Sequence, residues 1–355
     1  MRRTKSMKLA VAATVVTGLL TACGSVGGST TSSSSGAAGG GAAGGATKDP
    51  KSMTMVTVVK IQGVGWFDRM AEGVAQFKKD TGVDARQDGG DDATPEKQVQ
   101  IIQNLIPQKP TAITVVPNSP ASLEQVLGQA RSQGIVVVSH EAAGMKNVDI
   151  DIEAFDNAAY GAKMMDNLAQ CMGTSGKYVA FVGHLTAKTH MDWVQGALDE
   201  AKAKYPNVTR VEDPIESKED ENVAYQKAKE ILGKYPDIKG FEGSAGTDVA
   251  GIARAVSEAG KAGQVCVMGT SIPSVASKYL TDGSIQKIFF WDPALAGQAQ
   301  LKIALMLAQG QKVQDGTDLG LEGYHSLKKL TGTDNVYVGD AAVIVDKSNM
   351  AKYPF

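Results

Sequence analysis

Ile135-Val136-Val137-Val138-Ser139-His140-Glu141 is the stretch that decides the fold of this chain. An unbroken apolar, largely β-branched run suits a strand buried on both faces, as in a parallel sheet covered by helices on either side. The run begins after Gly134, a helix stop that closes the helical stretch Ser119–Ser132, and it ends in polar residues. Upstream lie strand candidates at Met55–Lys60 and Ala112–Val116, alternating with helical patterns at Asp68–Thr81 and Pro95–Ile106. The alternation pauses at Asn147–Phe155. It then resumes with Tyr178–Val182, Val208–Glu212, Ile238–Glu242, Val265–Gly269 and Ile285–Phe290, set between helices at Asp156–Met172, Asp192–Tyr205, Asp220–Tyr235 and Asp248–Ala259. Gly82, Gly173 and Gly260 mark further helix stops. This order predicts parallel sheets with helices on both faces. The body from Met53 to Phe355 exceeds the usual size of one core. The expected fold class is therefore α/β, with two doubly wound parallel-sheet lobes and a ligand cleft between them.

The first residues carry Arg2, Arg3, Lys5 and Lys8, then an apolar run from Leu9 to Leu20. A basic start, a short apolar middle and small residues at the end make an export signal. A helix over Leu9–Ala22 would span roughly 21 Å, against the roughly 30 Å of a bilayer core, so a spanning anchor is not expected. Residues 24–46 are Gly, Ser, Thr and Ala with a single Val. Such a segment cannot offset its ordering entropy by burial. It reads as a tether with a reach of about 26 Å.

Composition excludes several classes. The formal net charge is −2, with no basic footprint for nucleic acid. The histidines at 140, 184, 190 and 325 lack metal-ligand spacing, and there is no CxxC or HExxH motif. Gly243-Ser244-Ala245-Gly246 lacks the lysine of a phosphate loop. No pair of carboxylates is singled out for glycosidase work. No metal, cofactor or catalysis is expected. Cys171 and Cys266 are compatible either with a disulfide or with simple burial.

Ligands of open parallel sheets bind beyond the carboxyl ends of the strands. Candidate binding residues are accordingly those that follow each strand. Lys60 closes the first strand, where a lysine can face a cleft or snorkel to solvent. Trp66 and Phe67 follow the glycine-rich Gly63-Val64-Gly65, as platforms for a sugar ring or as core. Asn118 follows Val115-Val116-Pro117, where a turn or cap is the alternative. His140 and Glu141 end the opening stretch. In the second half the candidates are His190 and Asp192 at a helix start, Thr247 and Asp248 after Glu242-Gly243-Ser244-Ala245-Gly246, and Trp291 and Asp292 before Pro293. Asp-Pro is also a standard helix opening.

Two resemblances extend this reading. Leu20-Thr21-Ala22-Cys23 resembles the lipobox of bacterial lipoproteins, which implies diacylglycerol on Cys23 and a mature chain that begins there. The body resembles the periplasmic sugar-binding proteins of ABC importers, of the ribose-binding type, in the subgroup that binds autoinducer-2 and rhamnose. The resemblance rests on Lys60-Ile61-Gln62-Gly63-Val64-Gly65-Trp66-Phe67, Gln98-Val99-Gln100-Ile101-Ile102, Trp193-Val194-Gln195, Phe290-Trp291-Asp292 and Lys352-Tyr353-Pro354-Phe355. It implies a receptor whose lobes close on a small sugar or polyol and present it to a membrane permease. Lys60 matches the family's ligand-binding lysine and Trp66 a pocket aromatic, whereas His140, Thr189, His190, Ala245 and Thr247 depart from the autoinducer-2 contacts. A pentose, deoxyhexose or related polyol is the expected ligand, with autoinducer-2 as the alternative.

The resemblance also implies three crossings between lobes, placed near Asn147–Ile152, Trp291–Pro293 and Gly320–Lys329. The expected layout is a signal peptide at 1–22, lipidated Cys23 and tether over 23–50, a first lobe of 51–150 plus 293–325, and a second of 151–292 plus 326–355. The expected setting is outside the cytoplasm of a single-membrane bacterium, as a monomer tied to the membrane through Cys23. A secreted carbohydrate-active enzyme, a sugar-responsive repressor and a signalling sugar sensor share parts of this pattern. A repressor needs a DNA-binding head where this chain has an export signal.

Overall fold

The computed structural model of the protein describes residues 48–355. Cys23 and most of the tether fall outside these residues. Among the described residues no helix is long and apolar enough to cross a membrane.

The first sheet is built on β1 (Thr54–Val59), whose Met55, Val56, Val58 and Val59 are all buried. It pairs in parallel with β2 (Asp84–Gly89) on one side and β3 (Ala112–Val115) on the other. β4 (Val136–His140) and β5 (Ile150–Glu153) continue the parallel order. The helices between these strands are α1 (Gly65–Thr81), α2 (Pro95–Leu105) and α3 (Pro120–Ser132). α1 begins at Gly65, earlier than the expected Asp68, so Trp66 and Phe67 occupy its first turn rather than a loop. It ends at Gly82 in the left-handed conformation, φ 76°, as a helix stop requires.

The second sheet repeats the plan. β6 (Gly176–Val182), β7 (Val208–Arg210), β8 (Ile215–Glu216), β9 (Ile238–Gly243), β10 (Cys266–Thr270) and β11 (Lys287–Phe290) are its parallel strands. They alternate with α4 (Asn157–Cys171), α5 (Lys188–Lys204), α6 (Glu221–Lys234), α7 (Asp248–Glu258) and α8 (Pro273–Asp282). α9 (Pro293–Ala308) then returns to pack on α1 and the first sheet. Gly73 makes that contact possible: a Cβ there would lie 2.0 Å from the Ala294 carbonyl oxygen.

The last short strands move two of the expected boundaries. β12 (Lys328–Lys329) and β13 (Val336–Val338) join the first sheet, β13 beside β5 with Tyr337 opposite Ile152, and β14 (Val343–Val345) joins the second, antiparallel to β11. The first crossing therefore falls after Glu153 rather than at Asn147–Ile152. The last falls between Val338 and Val343 rather than at Gly320–Lys329. The reason is visible in Ile150-Asp151-Ile152-Glu153, a strand whose acidic residues are buried, which reads as a pause. Cys171 at the end of α4 and Cys266 at the start of β10 form a disulfide with Cα atoms 6.1 Å apart, settling the choice that the sequence left open.

Candidate functional site

The carboxyl ends of both sheets face each other, and Lys60 lies where they meet. It follows β1, the strand inside the first sheet, and only 3% of it is exposed. Its backbone is fixed by a polar brace. Gln98 Nε2 donates to the carbonyls of Val59 (3.1 Å) and Val116 (2.8 Å), Asn118 N donates to Gln98 Oε1, and Asn118 Nδ2 donates to the Lys60 carbonyl at 3.0 Å. The Lys60 ammonium donates to Glu141 Oε2 at 2.6 Å and lies 3.9 Å from Glu219 Oε1 of the other lobe. Burial works against its charge, but the carboxylates of Glu141 and Glu219 outweigh burial and raise its pKa.

His190, on the first turn of α5, faces Lys60 from the second lobe. Its Nδ1 accepts from the Gly183 amide at 3.1 Å, and its Nε2 stands 3.3 Å from Lys60 Nζ. Burial, then the nearby Lys60, push its pKa well below the usual histidine value, so the ring is neutral. An accepting Nδ1 leaves the proton of a neutral imidazole on Nε2. Two donors, Nε2–H and the ammonium, thus point toward each other across the cleft, an arrangement that an oxygen acceptor between them would satisfy.

Aromatic rings form one side. Trp66 and Trp291 meet edge to face with centroids 4.7 Å apart, and Trp193 packs on Trp291 at 5.7 Å. Trp291 is held by its Nε1, which donates to His140 Nε2 at 3.1 Å, while His140 Nδ1 donates to the Ile152 carbonyl at 2.6 Å. Both nitrogens of His140 are thereby satisfied with the ring neutral, and burial holds its pKa below the usual value. On the far wall, Asp248 Oδ2 accepts from the amides of Ser244 (3.1 Å) and Ala245 (2.8 Å), which shapes the turn after β9. Burial pushes the Asp248 carboxyl up to about 7. Gly246 in that turn approaches Trp66 so closely that an added Cβ would meet its ring at 3.3 Å.

The resulting cleft is lined by Lys60, Trp66, Phe67, Glu141, His190, Thr247 and Trp291 among the residues expected from sequence. Asn118, His140 and Asp248 instead stand behind the wall: Asn118 braces Lys60, His140 orients Trp291, and Asp248 holds the turn. Asp292 caps α9 through the Ala294 amide (2.9 Å) and accepts from Arg69 Nε (2.9 Å) and Nη2 (2.7 Å), so it is committed to the crossing segment. Asp192 is paired with Lys188 on an outer turn of α5. Neither lines the cavity.

Sequence reasoning missed Glu219, Trp193, Ser244 and Thr270, which also line the cavity. Ser244 and Thr270 follow or end strands and obey the rule that found the others. Glu219 follows the two-residue β8, which has no sequence signature. No group of His, Cys, Asp and Glu among the described residues is placed to hold a metal ion.

A family model described as the periplasmic binding protein domain matches residues 55–312. The D-allose-binding periplasmic protein of Escherichia coli (strain K12) is 27% identical over 260 residues, covering 70% of this chain and 82% of that one. Among solved structures, LsrB from Clostridium saccharobutylicum in complex with AI-2 is similar with a TM-score of 0.79 and 21% identity, covering 85% of this chain and 100% of that chain. An ABC transporter solute-binding protein from Clostridium phytofermentas with bound L-rhamnose has a TM-score of 0.79 and 21% identity, covering 85% of this chain and 98% of its own.

Proposed function

The chain belongs to the periplasmic binding protein family, and on that premise we propose that it is a lipid-anchored, extracytoplasmic solute-binding protein of an ABC importer. Its ligand is a small sugar: a pentose, a deoxyhexose or a related polyol. The observation that carries this reading is the pair of facing donors, Lys60 Nζ and His190 Nε2–H, 3.3 Å apart in a buried cleft walled by Trp66 and Trp291. A sugar hydroxyl is both an acceptor for these donors and a donor for the carboxylates beside them. Its apolar ring face matches the indoles. The donors come from opposite lobes, so bound oxygen draws the lobes together, and the closed form is what a permease would read. The lipobox-like Leu20-Thr21-Ala22-Cys23 and the segment after it support an acyl anchor near that permease. The D-allose-binding relative supports the sugar class.

A thermal-shift screen of the purified body against aldoses, ketoses, polyols and autoinducer-2 tests the proposal, since a ligand of the native state raises apparent stability by mass action. At least one sugar or polyol should raise the melting temperature. A screen in which none does so, or in which a sugar is turned over, refutes it. Autoinducer-2 as the tightest ligand would favour the alternative receptor. A physiological response that survives deletion of the permease would point to signalling.

A further inference from the structure

Glu219 reaches the cleft from a loop whose backbone is bent to deliver it. Lys218 and Glu219 both have φ 59°, in the left-handed region that residues with a Cβ seldom enter. Two consecutive residues held there cost free energy, and such strain persists where surrounding structure imposes it, often at ligand sites. Here the imposition is explicit: the amides of Ser217 and Lys218 donate to the carbonyls of Val182 and Gly183, each at 2.8 Å, which pins the loop to the end of β6. The side chain then lies over Gly183, where a Cβ would stand 2.2 Å from Glu219 Oε1. The residue is 7% exposed, and Oε1 is buried without a hydrogen-bond partner. Its nearest cation is Lys60 at 3.9 Å, which is already engaged by Glu141 at 2.6 Å. Burial pushes the Glu219 carboxyl up, Lys60 pulls it down, and Glu141 adds to the rise. With His190 neutral, one ammonium faces two carboxylates, so the wall has an excess of acceptors and of negative charge.

We propose that Glu219 is the specificity-determining carboxylate of the second lobe. It accepts hydrogen bonds from hydroxyls of a neutral sugar or polyol and excludes sugar acids and phosphorylated sugars. The inference rests on the reading of this cleft as a sugar site. A neutral hydroxyl supplies the donor that Oε1 lacks and adds no charge. A ligand carboxylate or phosphate would enter a buried site that already holds more negative than positive charge, where like charges are poorly screened.

The test is calorimetric titration of D-allose, xylitol, D-arabinose and L-rhamnose beside the aldonic acids D-allonate, D-xylonate, D-arabinonate and L-rhamnonate, at mildly alkaline pH. The proteins are the wild type, Glu219→Gln and Gly183→Ala. Gly183→Ala keeps the carboxylate but displaces it. In the wild type, neutral ligands should bind and the acids should not. Glu219→Gln should weaken the neutral ligand about 10- to 100-fold, the worth of a hydrogen bond to a charged group. It should also narrow the preference for neutral ligand over acid, which a purely structural role would not change. Gly183→Ala should weaken the neutral ligand in parallel. If the wild type binds a neutral sugar but Glu219→Gln keeps both its affinity and its preference, Glu219 is not the determinant and the sugar reading stands. If the wild type binds only an aldonic acid, the charge argument is wrong. If it binds none of the eight, the proposed ligand class itself fails.

Discussion

Lys60→Met tests the electrostatics of the cleft independently of any ligand. The substitution keeps most of the side-chain length and removes the ammonium from between Glu141 at 2.6 Å and Glu219 at 3.9 Å. The side chains of Lys60, Glu141 and Glu219 are 4%, 4% and 7% exposed, so solvent cannot replace the lost partner. Breaking a buried ion pair from one side costs about 3–5 kcal/mol, because the remaining charge stays buried. The sign of the pH dependence follows. In the wild type the raised pKa of Lys60 contributes stability that is fully present below the unfolded value near 10.4 and is lost only as pH rises through the folded value. Lys60 itself therefore adds no slope between about pH 5 and 8. In Lys60→Met the Glu219 carboxyl, which burial already pushes up, loses the ammonium that pulls it down, so its folded pKa rises further above the unfolded value of about 4.3. The native state then holds more protons than the unfolded chain, and stability falls as pH rises through that window. Urea unfolding followed by tryptophan fluorescence should show a deficit of about 3–5 kcal/mol near pH 8, shrinking toward pH 5. Adding Glu141→Gln to the variant should recover part of the loss. A deficit below about 1 kcal/mol near pH 8, or one that does not change with pH, would refute the claim that this ammonium is the counter-charge of both acids.

Two further outcomes concern groups outside the cleft. The Cys171–Cys266 disulfide closes a sequence separation of 95 residues. In the chain-entropy account that loop is worth about 4–5 kcal/mol, so reductant should lower the melting temperature. Ligand affinity in the absence of denaturant should be unchanged, because both cysteines sit at the ends of α4 and β10 away from the cavity. Glu242 has both carboxylate oxygens buried without partners, and burial pushes its pKa up to about 8. A raised carboxyl holds its proton in the native state, so the wild type loses stability from about pH 4 to 8, whereas Glu242→Gln cannot ionise. The variant should gain a few kcal/mol on the wild type between pH 5 and pH 8, read from urea midpoints. An equal difference at both pH values would assign that slope to other buried acids such as Asp151, whose carboxyl burial also pushes up to about 7.

The parts of this fold that were legible in sequence are those in which one physical cause acts alone. β4 is apolar because both of its faces are covered, and Gly82 stops α1 because its φ is positive. β5 was not legible because its Asp151 and Glu153 are buried for a polar purpose. Ser139 Oγ donates to Asp151 Oδ1 at 2.6 Å, and the Ala143 amide donates to Glu153 Oε1 at 3.2 Å. A pattern that equates buried with apolar passes over such a strand. β2, with the sequence Asp-Ala-Arg-Gln-Asp-Gly, was missed because it is an edge strand with one exposed side. The rule that ligands gather at strand ends found Lys60, Glu141 and Trp291, but it does not distinguish a wall residue from the residue that braces it. His140 and Glu141 are neighbours, yet the left-handed backbone of Glu141, φ 59°, turns the acid toward Lys60 while the histidine faces the indole of Trp291. That division depends on a dihedral angle, which periodicity does not record.

Trp291 shows why the wall and the crossing belong to one device. It stands between β11 of the second sheet and α9, which packs on the first, so its backbone is part of a strand that joins the lobes. Its Nε1 is nevertheless tied to His140 of the first lobe, and its ring packs on Trp66 of the first and Trp193 of the second. One residue further on, Asp292 caps α9 and grips Arg69, whose guanidinium lies 4.1 Å from the centre of the Phe355 ring. A ligand that presses on the Trp291 indole therefore acts on the segment about which the lobes would move in the proposed cycle. Contacts between the lobes, such as Thr186 Oγ1 donating to the Asn118 carbonyl at 3.2 Å, would add to the free energy of closure in that cycle. In the proposed cycle, binding energy collected at the ring would be converted into closure because the aromatic platform is fixed to the crossing segment rather than to either lobe alone.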